Sequence, residues 1–137
     1  MPWPRDTRYF MDNYDKGLEW YESLYEGRQE KSVGEASNGY LFWDESPKRI
    51  HELIPDVKLI ANLRNPVDKV YSTYGKMVSE AKKGDANYKV SFEEKLKTTP
   101  KLIERTLYAR HLKKYLDLFP RENMLFLLFD DMVRDPK

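Results

Sequence analysis

Between Val57 and Ala81 the chain changes its hydrophobic period once, and that change limits the folds open to it. Val57-Lys58-Leu59-Ile60-Ala61-Asn62-Leu63 is short and nearly continuously apolar at Leu59, Ile60, Ala61 and Leu63, as expected of a strand buried on both faces. Asn65-Pro66 follows at once. Val67, Val70, Tyr71, Tyr74, Met77, Val78 and Ala81 then fall on one helical stripe. A buried strand feeding directly into a helix is half of a parallel crossover, and a second apolar run from Met124 to Phe129 supplies another strand. Helices alternating with such strands argue for an α/β domain with a parallel sheet flanked by helices.

The rest of the chain is punctuated by caps and prolines. Leu18, Tyr21, Leu24 and Tyr25 predict a short helix over 15–25, stopped by Gly27. Lys31 to Glu35 reads as a short strand. Ser46-Pro47 reads as a cap and first-turn proline for a helix with Ile50, Leu53 and Ile54 on its inner face, ended by Pro55. Lys82 to Lys89 is a polar loop containing Gly84, and Ser91 with Glu94 has the pattern of a capping box. Thr99-Pro100 opens a long helix with Ile103, Leu107, Tyr108, Leu112, Tyr115, Leu116 and Phe119 facing inward, closed by Pro120. Two or three strands make a thin sheet, and the chain stops at Asp135-Pro136-Lys137 where a further helix is due, so 1–137 is expected to be a fragment.

Composition narrows the chemistry. The formal net charge of +1 gives no bulk field to draw the chain to nucleic acid or a membrane, so an anion site has to be built from placed side chains. There is no cysteine, which removes disulfides, thiolate metal sites and a cysteine nucleophile but fixes no compartment. No apolar run approaches the roughly 20 residues of a membrane-spanning helix. His51 and His111 have no paired ligand nearby in the sequence and read as structural or surface residues, so no metal site is expected.

The residue that ends the first strand is Arg64. Ligands of open α/β sheets bind beyond the carboxyl ends of the strands, and a guanidinium suits a phosphate because it donates two parallel hydrogen bonds. Ser72 lies eight residues on, about 10 Å along the helix axis, within reach of the same anion. The helix N-terminus is itself an anion site and competes for that role. The plainer alternative for Arg64 is a surface ion pair, for example with Asp68.

Lys58 to Tyr74 (KLIANLRNPVDKVYSTY) closely resembles the 3′-phosphate-binding segment of PAPS-dependent sulfotransferases, in particular the heparan sulfate sulfotransferases and their bacterial relatives. The resemblance extends over nearly the whole chain: Arg5 to Phe10 with Tyr14 to Tyr21, Gly34 to Ser37 with Tyr40, Leu107 to Leu112 with Phe119-Pro120, and Met124 to Pro136 (MLFLLFDDMVRDP). It implies a P-loop-like three-layer fold. It further implies that the chain takes part in transfer of a sulfuryl group from PAPS, as co-substrate and with no metal, to a hydroxyl or amine of a carbohydrate or small-molecule acceptor. By the same resemblance Arg64 and Ser72 hold the donor's 3′-phosphate, and Asp6, at the place of a family glutamate, accepts the acceptor's proton. Glu35 is expected to face the cleft. Ala36 stands where the family often has lysine, and Lys76 where N-sulfotransferases have histidine. Asp130 and Asp131 are read as caps of a following helix. The family holds its phosphosulfate in an N-terminal lysine-bearing loop and closes over the donor with a C-terminal glycine-rich segment. None of the six glycines falls in such a loop, so this chain is expected to be the central part of one domain and to transfer sulfate poorly alone. The alternatives are a non-catalytic module binding nucleotide 3′-phosphates and a helical interaction domain.

Overall fold

The structure, a computed structural model, describes residues 6–30 and 32–134. Its elements are α1 (Gly17–Ser23), α2 (Ser46–Leu53), β1 (Leu59–Leu63), α3 (Pro66–Gly84), α4 (Phe92–Thr98), α5 (Lys101–Glu104), α6 (Tyr108–Leu116), β2 (Met124–Leu128) and α7 (Phe129–Arg134). They form two compact units, Met1–Val57 with Leu112–Asn123 and Lys58–His111 with Met124–Lys137.

The first unit is organised by aromatic rings. Tyr9, Phe10, Met11, Ile50, Tyr115 and Phe119 are the buried apolar residues among those described in it. The Tyr9 and Tyr21 rings stack 4.2 Å apart, while Phe10 meets Tyr21 and Tyr40 edge-on. The helix expected over 15–25 is shorter than its pattern. Gly17 takes a φ of +82°, so Tyr14–Lys16 forms a separate 3-10 turn and α1 begins after it, leaving Leu18 exposed. Gly27, at φ +74°, sits in the turn that closes the segment. The strand expected over 31–35 does not form. Lys31 lies outside the described residues, Ser32, Val33 and Gly34 are exposed, and Ala36 makes only an isolated bridge; with no apolar face to bury, nothing pins a strand there. Ser46 is not a cap either. It is the first residue of α2, fully buried, and its hydroxyl donates to the Phe10 carbonyl at 2.9 Å. Of the inner face expected for α2, Ile50 is buried and Ile54 is exposed.

In the second unit β1 and β2 pair in parallel, with Leu59 opposite Met124 and Leu63 opposite Leu128. The α/β class and the parallel sheet therefore stand, but β1 is not buried on both faces: its burial alternates, and Ile60 is 68% exposed. α3 begins as its Asn-Pro start predicts and runs to Gly84, so Lys82 and Lys83 form its last turn, where cations favour the helix dipole, instead of a loop. Val70 is buried, while Val67 and Tyr71, on the expected stripe, are exposed. Tyr74 donates to the Val90 carbonyl at 2.8 Å, and its ring meets Phe92 edge-on, which docks the start of α4. The capping box forms as its residues predict, with Ser91 and Glu94 bonding reciprocally. The long helix expected from Thr99 breaks instead at Arg105–Leu107 into α5 and α6. The Thr106 hydroxyl donates to the Ile103 carbonyl at 2.7 Å and the His111 ring nitrogen Nε2 engages the Glu104 carbonyl at 2.9 Å. Both take carbonyls that a continuous helix would use, and such local bonds compete with helix. Leu102 is consequently buried, and Ile103, Leu107 and Leu116 are exposed.

Candidate functional site

Both strands of the second unit end level, and each leads directly into a helix: β1 through Arg64 and Asn65 into α3, β2 straight into α7. A cavity of about 370 Å³ opens at this edge. Leu63 and Leu128 line it from the strand ends, Arg64, Asn65 and Pro66 from the β1–α3 junction, and Tyr108, Asp130, Asp131 and Arg134 from the helices. α7 starts at Phe129, so Asp130 and Asp131 lie inside its first turn instead of preceding it as caps.

Arg64 is held without being used up. Its guanidinium carbon sits 5.2 Å from the centroid of the Phe129 ring, a cation–π distance. Its Nε is buried and has no hydrogen-bond partner among the described residues. The ion pair with Asp68, the plainer alternative for Arg64, is absent from the ion pairs of the described residues. A buried donor without an acceptor is costly, and Arg64 itself lines the cavity at the β1–α3 junction.

The competing anion site, the N-terminus of α3, is already occupied by its own cap. The Asn65 side-chain oxygen accepts from the Val67 N–H at 2.9 Å and the Asp68 N–H at 3.5 Å. Those first-turn donors are what a helix offers a phosphate. Their capture leaves the guanidinium as the principal anion partner at this junction.

Ser72 is exposed on α3, six residues past its start and so about 9 Å along the axis. It is not among the residues lining the cavity. Arg64 thus lies in the cavity and Ser72 on the helix leading away from it. Lys76 is exposed one turn beyond Ser72. A cation absent from the sequence expectation also stands near: Lys69 Nζ lies 4.9 Å from the centroid of Tyr108, a cavity residue, and 3.4 Å from the Arg105 carbonyl. Burial, with the Arg105 charge adding to it, lowers the Lys69 ammonium to about 8. Its place in Asn-Pro-x-x-Lys, facing the α5–α6 break, was not recognisable before that break was known.

In the first unit Asp6 is exposed and Glu35 is half-buried. Glu35 Oε2 accepts from the Thr7 hydroxyl at 2.5 Å and from Tyr25 at 3.2 Å, and Oε1 is buried without a partner among the described residues. The Tyr25 phenol is raised to about 12, chiefly by burial, and burial likewise raises Tyr21 and Tyr40, so all three rings stay protonated around the carboxylate. Sequence reading missed this cluster, whose partners are up to 33 residues apart. His51 packs edge-on against Phe119. Among the described residues no three His, Cys, Asp or Glu side chains gather to hold a metal ion.

A family model described as the sulfotransferase domain matches residues 6–137. The chain belongs to the sulfotransferase domain family. It is similar to heparan sulfate glucosamine 3-O-sulfotransferase 6 of Mus musculus, with 33% identity over 135 residues covering 96% of this chain and 40% of that protein. It is also similar to heparan sulfate glucosamine 3-O-sulfotransferase 3B1 of Homo sapiens, with 29% identity over 136 residues covering 96% of this chain and 35% of that protein. The crystal structure of a sulfotransferase from Alicyclobacillus acidocaldarius matches with a TM-score of 0.76 and 33% identity over 98% of this chain and 58% of that chain. This sulfotransferase domain sequence therefore spans about two fifths of the length of the first of these curated relatives. No helix among its described residues is long and apolar enough to cross a membrane.

Proposed function

We propose that this sulfotransferase uses PAPS as its donor and that Arg64 and Ser72 hold the donor's 3′-phosphate. The observation that carries the reading is Arg64: it lines a cavity at the carboxyl edge of a parallel sheet, its Nε has no acceptor among the described residues, and the rival helix donors are taken by Asn65. An acceptor hydroxyl or amine attacks sulfur in line. The bond between sulfur and the phosphate oxygen breaks, 3′,5′-ADP leaves, and the acceptor's proton passes to the Asp6 carboxylate. The acceptor is a carbohydrate or a small molecule, carbohydrate being favoured by the glucosamine in the relatives' names.

Charge developing on the transferred group needs donors aimed at it. The phosphosulfate-holding loop of the family is not among the strand–helix junctions of the described residues, since β1 and β2 both pass directly into helices. On this reading residues 1–137 bind the 3′-phosphate end of the donor and transfer sulfate poorly on their own.

Calorimetry with 3′,5′-ADP against 5′-AMP tests the donor site. Preference for the 3′-phosphorylated nucleotide supports it, and equal or absent binding refutes it. Sulfate transfer by a version extended upstream of Met1 then separates an enzyme from a binding module: tight PAPS binding with no turnover on carbohydrate or small-molecule acceptors favours the module.

A further inference from the structure

The segment carrying Asp6 is tied along its length to the segment carrying Glu35. The Asp6 N–H donates to the Ala36 carbonyl at 2.8 Å, the Thr7 hydroxyl to Glu35 Oε2 at 2.5 Å, and the Arg8 N–H to the Ser37 hydroxyl at 3.3 Å. Asp6 and Arg8 have φ of +54° and +53°, the left-handed region that side-chain-bearing residues seldom enter. Such conformations persist where the surroundings over-determine them, and they gather at functional sites.

Thr7, between the two strained residues, is the hub. Its one proton goes to Glu35, so the Tyr40 hydroxyl, 3.1 Å away, donates to it, and the Tyr9 N–H donates to it at 3.2 Å. A hydroxyl has one proton and two lone pairs, and all three are engaged. The Phe10 N–H in turn donates to the Tyr40 hydroxyl at 3.4 Å. A directed chain thus runs Phe10, Tyr40, Thr7, Glu35, each bond polarising the next. Glu35 is turned inward, with Oε2 engaged by Thr7 and Tyr25 and Oε1 buried. It is placed to hold the neighbouring segments together.

We infer that Glu35 and Thr7 are positioning residues, fixing the left-handed backbone from which Asp6 presents its carboxylate. This rests on the reading of Asp6 as proton acceptor.

The first test is amide hydrogen exchange in the whole chain, comparing Asp6 with Ile54, whose N–H bonds to the Ile50 carbonyl at 2.8 Å. Thr7→Val or Glu35→Gln is expected to speed exchange at Asp6 roughly tenfold more than at Ile54, and Thr7→Ser to restore it, as loss and recovery of one hydrogen bond would. Equal acceleration at both sites marks a merely structural role and overturns the inference. The second test is a kcat cycle in the form of the protein that transfers sulfate. Thr7→Val should lower kcat about tenfold or more in the wild-type background and have almost no effect on top of Asp6→Asn, because the two act as a unit. The same factor in both backgrounds overturns the positioning role alone. An unchanged kcat in Asp6→Asn removes the proton-acceptor reading and the positioning role with it.

Discussion

Arg64→Ala is the substitution with the most exposed consequence. Paired with a phosphate, the guanidinium donates two charge-assisted hydrogen bonds, each contributing about 1.5–3 kcal/mol. In the free chain it has no ion pair to give up among the described residues, and its Nε has no acceptor, so little of that gain is offset by broken interactions. Because the residue is only part-buried, the low end applies, about 3 kcal/mol for the pair, or roughly a hundredfold in Kd. The loss should fall on 3′,5′-ADP and spare 5′-AMP, so calorimetry on both nucleotides should show the preference collapsing. Arg64→Lys should recover part of it, since an ammonium keeps the charge but not the fork. Folding is little affected, since the substitution removes a cation–π pair with Phe129 that contributes about 0.5–1 kcal/mol. Equal weakening of both nucleotides would show instead that the arginine serves a part of the ligand other than its 3′-phosphate.

Two further outcomes follow from packing and charge. Phe10 is 2% exposed among Tyr9, Tyr21 and Tyr40, so Phe10→Ala should cost about 3–5 kcal/mol, a large share of a small domain's stability; a urea midpoint within error of wild type would contradict the aromatic core. Lys69, lowered to about 8 from 10.5 by burial and then Arg105, is disfavoured as an ammonium in the folded state, and that penalty is complete below its folded value. Between about pH 8 and 10.5 the unfolded chain holds the proton and the native one has lost it, so stability rises with pH there. Relative to Lys69→Met, wild type should therefore gain stability across that interval in urea titrations, whereas parallel curves would show that Lys69 is not perturbed.

Much of the second unit was legible because its signals are local. The period change at Arg64 set β1 and α3, and Ser91 with Glu94 set the start of α4. What failed depended on partners distant in sequence or on competition invisible to a hydrophobic pattern. Thr106 and His111 divert carbonyls at a point where the apolar spacing runs on unbroken. Ser46 looked like a cap because its type and its proline fit, yet its hydroxyl serves Phe10, 36 residues away. The rule that ligands gather at strand ends put Arg64 at the edge where the cavity opens, but the capture of α3's first donors by Asn65 needed coordinates. From its sequence position Glu35 reads only as a carboxylate facing a cleft. That it is turned inward, tied to Thr7, required knowing which chain segments lie side by side.

Whether Arg64 and Ser72 serve one phosphate is asked directly by a double-mutant cycle on 3′,5′-ADP affinity. If they do, Arg64→Ala and Ser72→Ala should each weaken binding, and the double variant should depart from additivity by at least about 0.5 kcal/mol, as for residues sharing a partner. Strict additivity, or a Ser72→Ala variant that binds as wild type does, would contradict it.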